Sequence, residues 1–148
     1  MRYYEYRHRV SFEETNVVGN VYFTNYLLWQ GRCREMFLFE HAPELMPEMG
    51  RGLALATTRV VCSFYRELAA FEEVAIRMNA SAMTPSRLTM AFQYFRVSPE
   101  GLEELVAEGE QEVACMRLVG ERMEPAPLPQ VLRDAVELYM SPALAALT

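Results

Sequence analysis

The spacing of hydrophobic positions along the chain changes several times, and each change marks an element. Tyr3 to Phe12 alternates, with Tyr4, Tyr6, His8 and Val10 on one side and Tyr3, Glu5, Arg7 and Arg9 on the other, which predicts a first strand. A polar turn follows at Glu13 to Asn16. Gly19 and Asn20 then open onto an aromatic-rich stretch. From Phe23 to His41 there is no proline, and Tyr26, Trp29, Cys33, Met36 and Phe37 recur at helical spacing. This predicts one long helix, capped by Thr24 or Asn25 and ended by Pro43. Glu44 to Arg51 reads as a short irregular or single-turn segment closing at Gly50 and Gly52.

Four strand-like runs come next. Leu53 to Phe64 is the first. In the second, Val74, Ile76, Met78, Ala80 and Ala82 alternate with Glu73, Ala75, Arg77, Asn79 and Ser81, the period of a half-buried strand. Beyond a Thr84-Pro85-Ser86 turn, Leu88, Met90, Phe92 and Tyr94 continue the alternation. A turn at Ser98 to Gly101 leads to a last long run, Leu105 to Val119, in which Gly109 suggests a bulge. Pro125, Pro127 and Pro129 set off a short helix, Gln130 to Tyr139. A long apolar helix must be buried against a sheet, and hairpin-length turns make that sheet antiparallel. The expected fold is α+β, with an antiparallel sheet curved around a central helix, in one domain over residues 1–148. Such a unit leaves an apolar edge or face open, so a homo-oligomer is expected.

Composition narrows the chemistry. The net charge is −6, which argues against nucleic-acid binding through bulk charge. All 14 basic residues are Arg, and without Lys there is no Schiff-base chemistry. Cys33, Cys62 and Cys115 lack both metal spacing and a disulfide framework, so they are expected to be reduced, as in a cytoplasmic protein. The N-terminus lacks the apolar core of a signal peptide, and no stretch reaches the length of a membrane span. No metal or cofactor is implied.

Residues 11–37 hold the candidate site. Small, polar and flexible residues precede the long helix, whose first N–H groups and positive dipole end suit a developing oxyanion. That is a setting for acyl transfer to water. The segment Asn16-Val-Val-Gly19-Asn20-Val21-Tyr22-Phe23-Thr24-Asn25-Tyr26 resembles the pattern Asp-x-x-Gly-x-Val-(Tyr/Phe)-x-x-x-Tyr of the hot-dog-fold thioesterases of the 4-hydroxybenzoyl-CoA thioesterase type. Glu13 to Tyr22 and Asn25 to Phe37, above all Trp29-Gln-Gly-Arg-Cys-Arg-Glu-Met36, are similar to thioesterases encoded beside enediyne polyketide synthases. The resemblance implies a hot-dog fold and, as substrate, a polyene β-ketoacyl thioester on the acyl carrier protein of a polyketide synthase. It implies hydrolysis, with the freed β-keto acid decarboxylating to a methyl ketone, and an assembly that is a dimer of dimers. Two alternatives remain open from the residues: a general acyl-CoA thioesterase and a non-catalytic polyene-binding module.

Asn16 stands in the family's catalytic Asp slot, as in the enediyne branch. An amide is neither nucleophile nor base near neutral pH, but it can hold a carbonyl or a water. Backbone N–H groups around Gly19, Asn20, Val21 and Tyr22 are the expected oxyanion donors. Tyr26, Gln30 and Arg34 fall on one helical line; Arg34 is the candidate oxyanion or enolate partner, Tyr26 the candidate to donate its hydroxyl or line the pocket, and Gln30 a candidate substrate-binding residue. Glu35 is expected to turn away from that line. His8, His41 and the cysteines are expected to be structural. Phe23, Leu27, Met36, Phe37, Leu45, Met46, Met49, Met78, Met90 and Phe92 are candidates for an acyl tunnel, most of them equally suited to the core. Arg59, Arg66, Arg87 and Arg96 are candidates for its mouth.

Overall fold

The structure, a computed structural model, describes residues 2–147. Its elements in chain order are β1 (Tyr4–Arg9), a 3₁₀ turn (Phe12–Glu14), α1 (Thr24–His41), α2 (Leu45–Met49), β2 (Leu53–Phe64), β3 (Glu73–Met83), β4 (Arg87–Val97), β5 (Glu103–Val119), β6 (Arg122–Pro125), α3 (Gln130–Glu137) and α4 (Pro142–Leu147). The strands form an antiparallel sheet in the order β1-β3-β4-β5-β2, with β6 paired to the end of β5. This is a hot-dog fold, the sheet curled around α1.

The alternation read from the sequence is what buries the sheet's inner face. Val74, Ile76 and Met78 of β3, Met90, Phe92 and Tyr94 of β4, and Val113 and Cys115 of β5 all lie in the core. From α1 the core receives Tyr26, Trp29, Cys33, Phe37 and Leu38. Trp29 is fully buried. Truncating a tryptophan so placed to Ala costs about 3–5 kcal/mol. The helix is apolar on its other side too: Leu28 and Phe39 are exposed. Met36, expected on the buried stripe, is exposed as well.

Several expectations are corrected. Ser11 and Phe12 leave the first strand for the 3₁₀ turn. Neither Thr24 nor Asn25 caps α1; Phe23 occupies that position without a side-chain bond, and Asn25 Nδ2 instead donates to the Glu14 carbonyl at 2.8 Å. Gly109 is not a bulge, since it sits in register opposite Cys62 and Phe92. The bulge in β2 falls between Thr57 and Arg59. Both β6 and α4 went unpredicted.

Among the described residues no helix is long and apolar enough to cross a membrane, and no cluster of ligating side chains could hold a metal. The three cysteines are free, Cys33 and Cys115 buried and Cys62 partly so.

Candidate active site

Asn16 lies on a tight loop between two short β-bridge residues, Thr15 and Val21. Its backbone N–H donates to the Asn20 carbonyl at 2.7 Å, and its carbonyl accepts from Gly19 N–H at 3.0 Å. Gly19 takes φ +90°, a conformation that disfavours any side chain. Asn16 Oδ1 accepts from the N–H groups of Val18 at 3.1 Å and Asn20 at 3.2 Å. The oxygen is therefore used by the loop, the role of an ordinary turn asparagine. The amide nitrogen Nδ2 has no acceptor among the described residues and remains a donor at the surface.

The expected oxyanion donors are corrected by the same hydrogen bonds. Asn20 N–H is taken by Asn16 Oδ1, Val21 N–H by the Leu68 carbonyl at 2.8 Å, and Tyr22 N–H by the Glu14 carbonyl at 2.9 Å. Among the described residues the backbone N–H groups of Phe23 and Thr24, where α1 begins, have no acceptor. Beside this helix start lies a cleft of about 290 Å³ lined by Asn16, Asn20, Val21, Tyr22, Phe23, Tyr26, Phe64, Arg66 and Glu67. Tyr26 packs edge-on to Phe64 and Tyr94, and burial pushes its hydroxyl up to about 12, so it stays a neutral donor.

Tyr26, Gln30 and Arg34 do share one side of α1, and each meets a different point on the sheet. Tyr26 touches Phe64, Gln30 Nε2 donates to the Val61 carbonyl at 3.2 Å, and Arg34 Nη1 donates to Thr57 Oγ1 at 3.1 Å. The helix line thus runs back along β2 from its last residues towards its first. Arg34 Nη1 also donates to Gln111 Oε1 at 2.7 Å. Gln111 is buried on β5. Arg34 Nε is buried without a hydrogen-bond partner. Burial pulls this guanidinium below its usual range while the Glu35 charge opposes that pull; an arginine remains charged all the same.

Next to Arg34 lies an apolar groove of about 430 Å³, between α1 and α2, lined by Arg34, Glu35, Met36, Leu38, Phe39, Met46 and Met49. Glu35 is exposed, as expected of a residue turned off the Tyr26–Gln30–Arg34 line, and it borders this groove. Of the tunnel candidates, Met36, Met46 and Met49 line this groove and Phe23 lines the Asn16 cleft. Phe37, Leu45, Met78, Met90 and Phe92 are core.

Asn16 and Arg34 are not brought together within one chain. Arg34 lies ten residues beyond the start of α1, about 15 Å along the axis, and the two residues line separate clefts. Of the arginines expected at a mouth, Arg59 pairs with Glu110 and Arg87 with Glu112, while Arg96 pairs with Glu72 and Glu104. Arg66 alone of the four borders the Asn16 cleft. His8 and His41 serve packing, His8 against Trp29 and Glu14, His41 against Tyr139.

The fold is that of a hot-dog thioesterase. A family model described as the thioesterase-like superfamily matches residues 10–136, and the chain belongs to that family. Among solved structures, that of the dynemicin thioesterase, described for its induced-fit and allosteric effects upon polyene binding, is 48% identical. It superposes with a TM-score of 0.91 over 95% of this chain and 99% of that one. A 1,4-dihydroxy-2-naphthoyl-CoA thioesterase from Synechocystis superposes with a TM-score of 0.79 at 18% identity, covering 91% and 96% of the two chains. The 4-hydroxybenzoyl-CoA thioesterase of a Pseudomonas species gives 0.75 at 18% identity over 93% and 99%. Curated protein sequences yielded no match. The protein is a thioester hydrolase.

Proposed function

We propose that the protein hydrolyses a polyene β-ketoacyl thioester on the acyl carrier protein of an iterative enediyne polyketide synthase, in the cytoplasm. The released β-keto acid then loses carbon dioxide to leave a methyl ketone. The observation that carries this reading is Arg34: a buried N–H with no acceptor beside a methionine-lined apolar groove. A guanidinium so placed suits the oxygens of a 3-oxoacyl group whose hydrocarbon tail fills the groove. The 48% identity to an enzyme described as binding a polyene supports the same tail.

Two copies complete the site. Strand β2 ends the sheet, paired only to β5 among the described residues. Residues 56–61 are all exposed, Val60 and Val61 among them, so the strand offers an open edge with apolar side chains. Antiparallel pairing of β2 with itself about a two-fold axis between Val60 and Val61 sets Thr57 of one chain opposite Phe64 of the other. Thr57 touches Arg34, and Phe64 lines the Asn16 cleft. The pairing therefore carries Arg34 of one subunit to Asn16 of its partner. Exposed Leu28 remains on the outer side of α1 for a second contact between dimers.

In this site the thioester carbonyl lies over the N–H groups of Phe23 and Thr24, with Asn16 Nδ2 as a further donor. Water adds to the carbonyl carbon and gives up a proton, the tetrahedral oxyanion is held by these donors, and as it collapses the C–S bond breaks and the leaving thiolate takes up that proton. Arg34 of the partner subunit holds the 3-oxo group. No carboxylate acts as base, so the reaction depends on the electrophilicity of a 3-oxo thioester.

Mixing two inactive variants tests the assembly. Asn16→Ala and Arg34→Ala, co-refolded, should recover about a quarter of wild-type turnover, because half the dimers are mixed and each holds one intact site. No recovery would place both residues in one chain's site. For the substrate, 3-oxoacyl thioesters should turn over faster than saturated ones of equal length, and co-expression with a cognate synthase should release a polyene methyl ketone detectable by mass. Equal rates on both thioesters, or equal rates on coenzyme A and carrier-protein esters, would return the reading to a general acyl-CoA thioesterase.

A further inference from the structure

Asn16 is exposed, as are Val17, Val18 and Gly19, and the loop reaches the core only at Val21. Something beneath must hold it in place. We propose that Glu14, two residues before it, is a positioning residue for hydrolysis, fixing the Asn16 loop against the start of α1 through a convergence of donors from three elements.

The carboxylate is nearly enclosed, with 12% of its side-chain surface exposed. Its Oε1 accepts from the backbone N–H of Ser11 at 2.8 Å and from the Ser11 hydroxyl at 3.1 Å, and meets His8 Nε2 at 2.8 Å. Since an ionised carboxylate can only accept, His8 must carry its proton on Nε2. Oε2 accepts from the indole N–H of Trp29 at 2.8 Å. The same residue's carbonyl accepts from Tyr22 N–H at 2.9 Å and from Asn25 Nδ2 at 2.8 Å. Glu14 thus ties β1, the 3₁₀ turn, the far leg of the asparagine loop and α1 to a single point. Phe23 and Thr24, with the free N–H groups, lie between the two residues its carbonyl holds.

A buried carboxylate is costly unless every oxygen is satisfied, and removing one partner exposes that cost. Burial acts to raise its protonation, yet Ser11, His8 and Trp29 together hold the carboxyl below its usual range. The group is therefore ionised near neutral pH and its four donors remain aligned. Nothing in Glu14 faces the cleft, so its effect on the reaction passes through Asn16 and the helix start. Displacements of about 1 Å at a reacting geometry can cost as much as 10²-fold in rate. The inference rests on the reading of Asn16 given above.

Glu14→Gln tests it in the full-length enzyme. The amide keeps the shape but presents N–H to either Trp29 or the Ser11–His8 pair. On a 3-oxoacyl thioester, kcat should fall at least tenfold while KM stays within about twofold. The emission of Trp29, the sole tryptophan, should shift as its N–H loses an acceptor. In an Asn16→Ala background the same change should cost little more, since both act at one point. A kcat that is unchanged for folded Glu14→Gln, or a loss that multiplies with that of Asn16→Ala, overturns the proposal. If Asn16→Ala leaves kcat intact, the assignment of Asn16 falls and takes this inference with it; loss in Asn16→Ala without loss in Glu14→Gln sinks the inference alone. Should Glu14→Gln fail to fold, Trp29→Phe removes the Oε2 donor together with part of a fully buried ring, and its kcat should still drop severalfold while KM stays within about twofold; an unchanged kcat there also overturns it.

Discussion

Arg34 Nη1 and Gln111 Oε1 lie 2.7 Å apart, linking the middle of the central helix to the inner face of β5. Gln111 is a buried polar side chain. Its amide oxygen leaves one side of the guanidinium held and the Nε side open. Gln111→Leu keeps the volume and removes the acceptor. Hydrogen bonds to charged groups are worth about 1.5–3 kcal/mol, so kcat/KM on a 3-oxoacyl thioester should fall by about 10- to 100-fold. The loss should be smaller on a saturated thioester, which gives Arg34 less to hold. An equal loss on both substrates, measured by steady-state kinetics, would mean that Gln111 serves the fold and not the guanidinium.

Gln30 crosses close to the backbone of β5 at Gly109. A Cβ built at Gly109 would stand 2.3 Å from Gln30 Nε2 and 2.8 Å from the Val61 carbonyl oxygen. Real side-chain atoms do not approach that closely, so either the glutamine or the strand pair must shift. Gly109→Ala should destabilise by about 1–3 kcal/mol, the usual range for overpacking. For a chain of this size each kcal/mol lowers the melting temperature by about 2–4 °C. Adding Gln30→Ala should restore part of the loss, because one of the two clashes is with the glutamine tip; the clash with the Val61 carbonyl remains. Thermal unfolding of the two singles and the double measures that coupling.

The long elements were legible because burial imposes a period on them. Helix α1 begins one residue from its predicted start, and β2 runs over the residues expected, Leu53–Phe64. Strand β6 was not legible: all four of its residues are exposed, so nothing forces an alternation. The oxyanion donors were misplaced for a different reason. Val21 N–H is taken by the carbonyl of Leu68, 47 positions away in the chain, and no local pattern announces that bond. Gln111 could have been found. It is the polar residue in an inward-facing file whose other members are Ala107, Gly109, Val113 and Cys115, and a buried polar side chain needs a partner. The separation of Asn16 from Arg34 follows from helix rise: Asn16 sits on the loop before α1, and Arg34 lies ten residues, about 15 Å, beyond the helix start.

Asn16→Asp separates the two uses of the amide. A carboxylate at this position can still accept from the N–H groups of Val18 and Asn20, now 3.1 and 3.2 Å from Oδ1. The loop should therefore keep its shape, and the melting temperature should change little. What is lost is the free Nδ2 donor, and a negative charge is added where an oxyanion forms. Loss of one oxyanion donor typically costs about 10²–10³ in kcat. The Asp variant should fall at least that far on 3-oxoacyl thioesters, below Asn16→Ala. A variant that retains activity would mean that the site works through a carboxylate as readily as through an amide.

The network around Glu14 also fixes how stability responds to acid. Burial alone would raise the carboxyl, but the bonds from Ser11, His8 and Trp29 bring it below its ordinary 4.5. A group whose folded-state value is depressed contributes stability above the unfolded value, and that contribution is lost as pH falls through the folded value. The full contribution is therefore present at pH 7 and fades below about pH 4.5. Glu14→Gln has no proton to take up there. In urea unfolding, wild type should exceed the variant at pH 7, and the gap should narrow as pH is lowered through the acid range. Glu5 is held low by bonds from Arg77 and Arg7, and Glu112 by bonds from Thr58 and Arg87, so both proteins will weaken in acid. What bears on Glu14 is the difference between the two curves. A gap of constant size from pH 7 down to pH 3 would mean that the carboxylate is no better held in the folded chain than in the unfolded one.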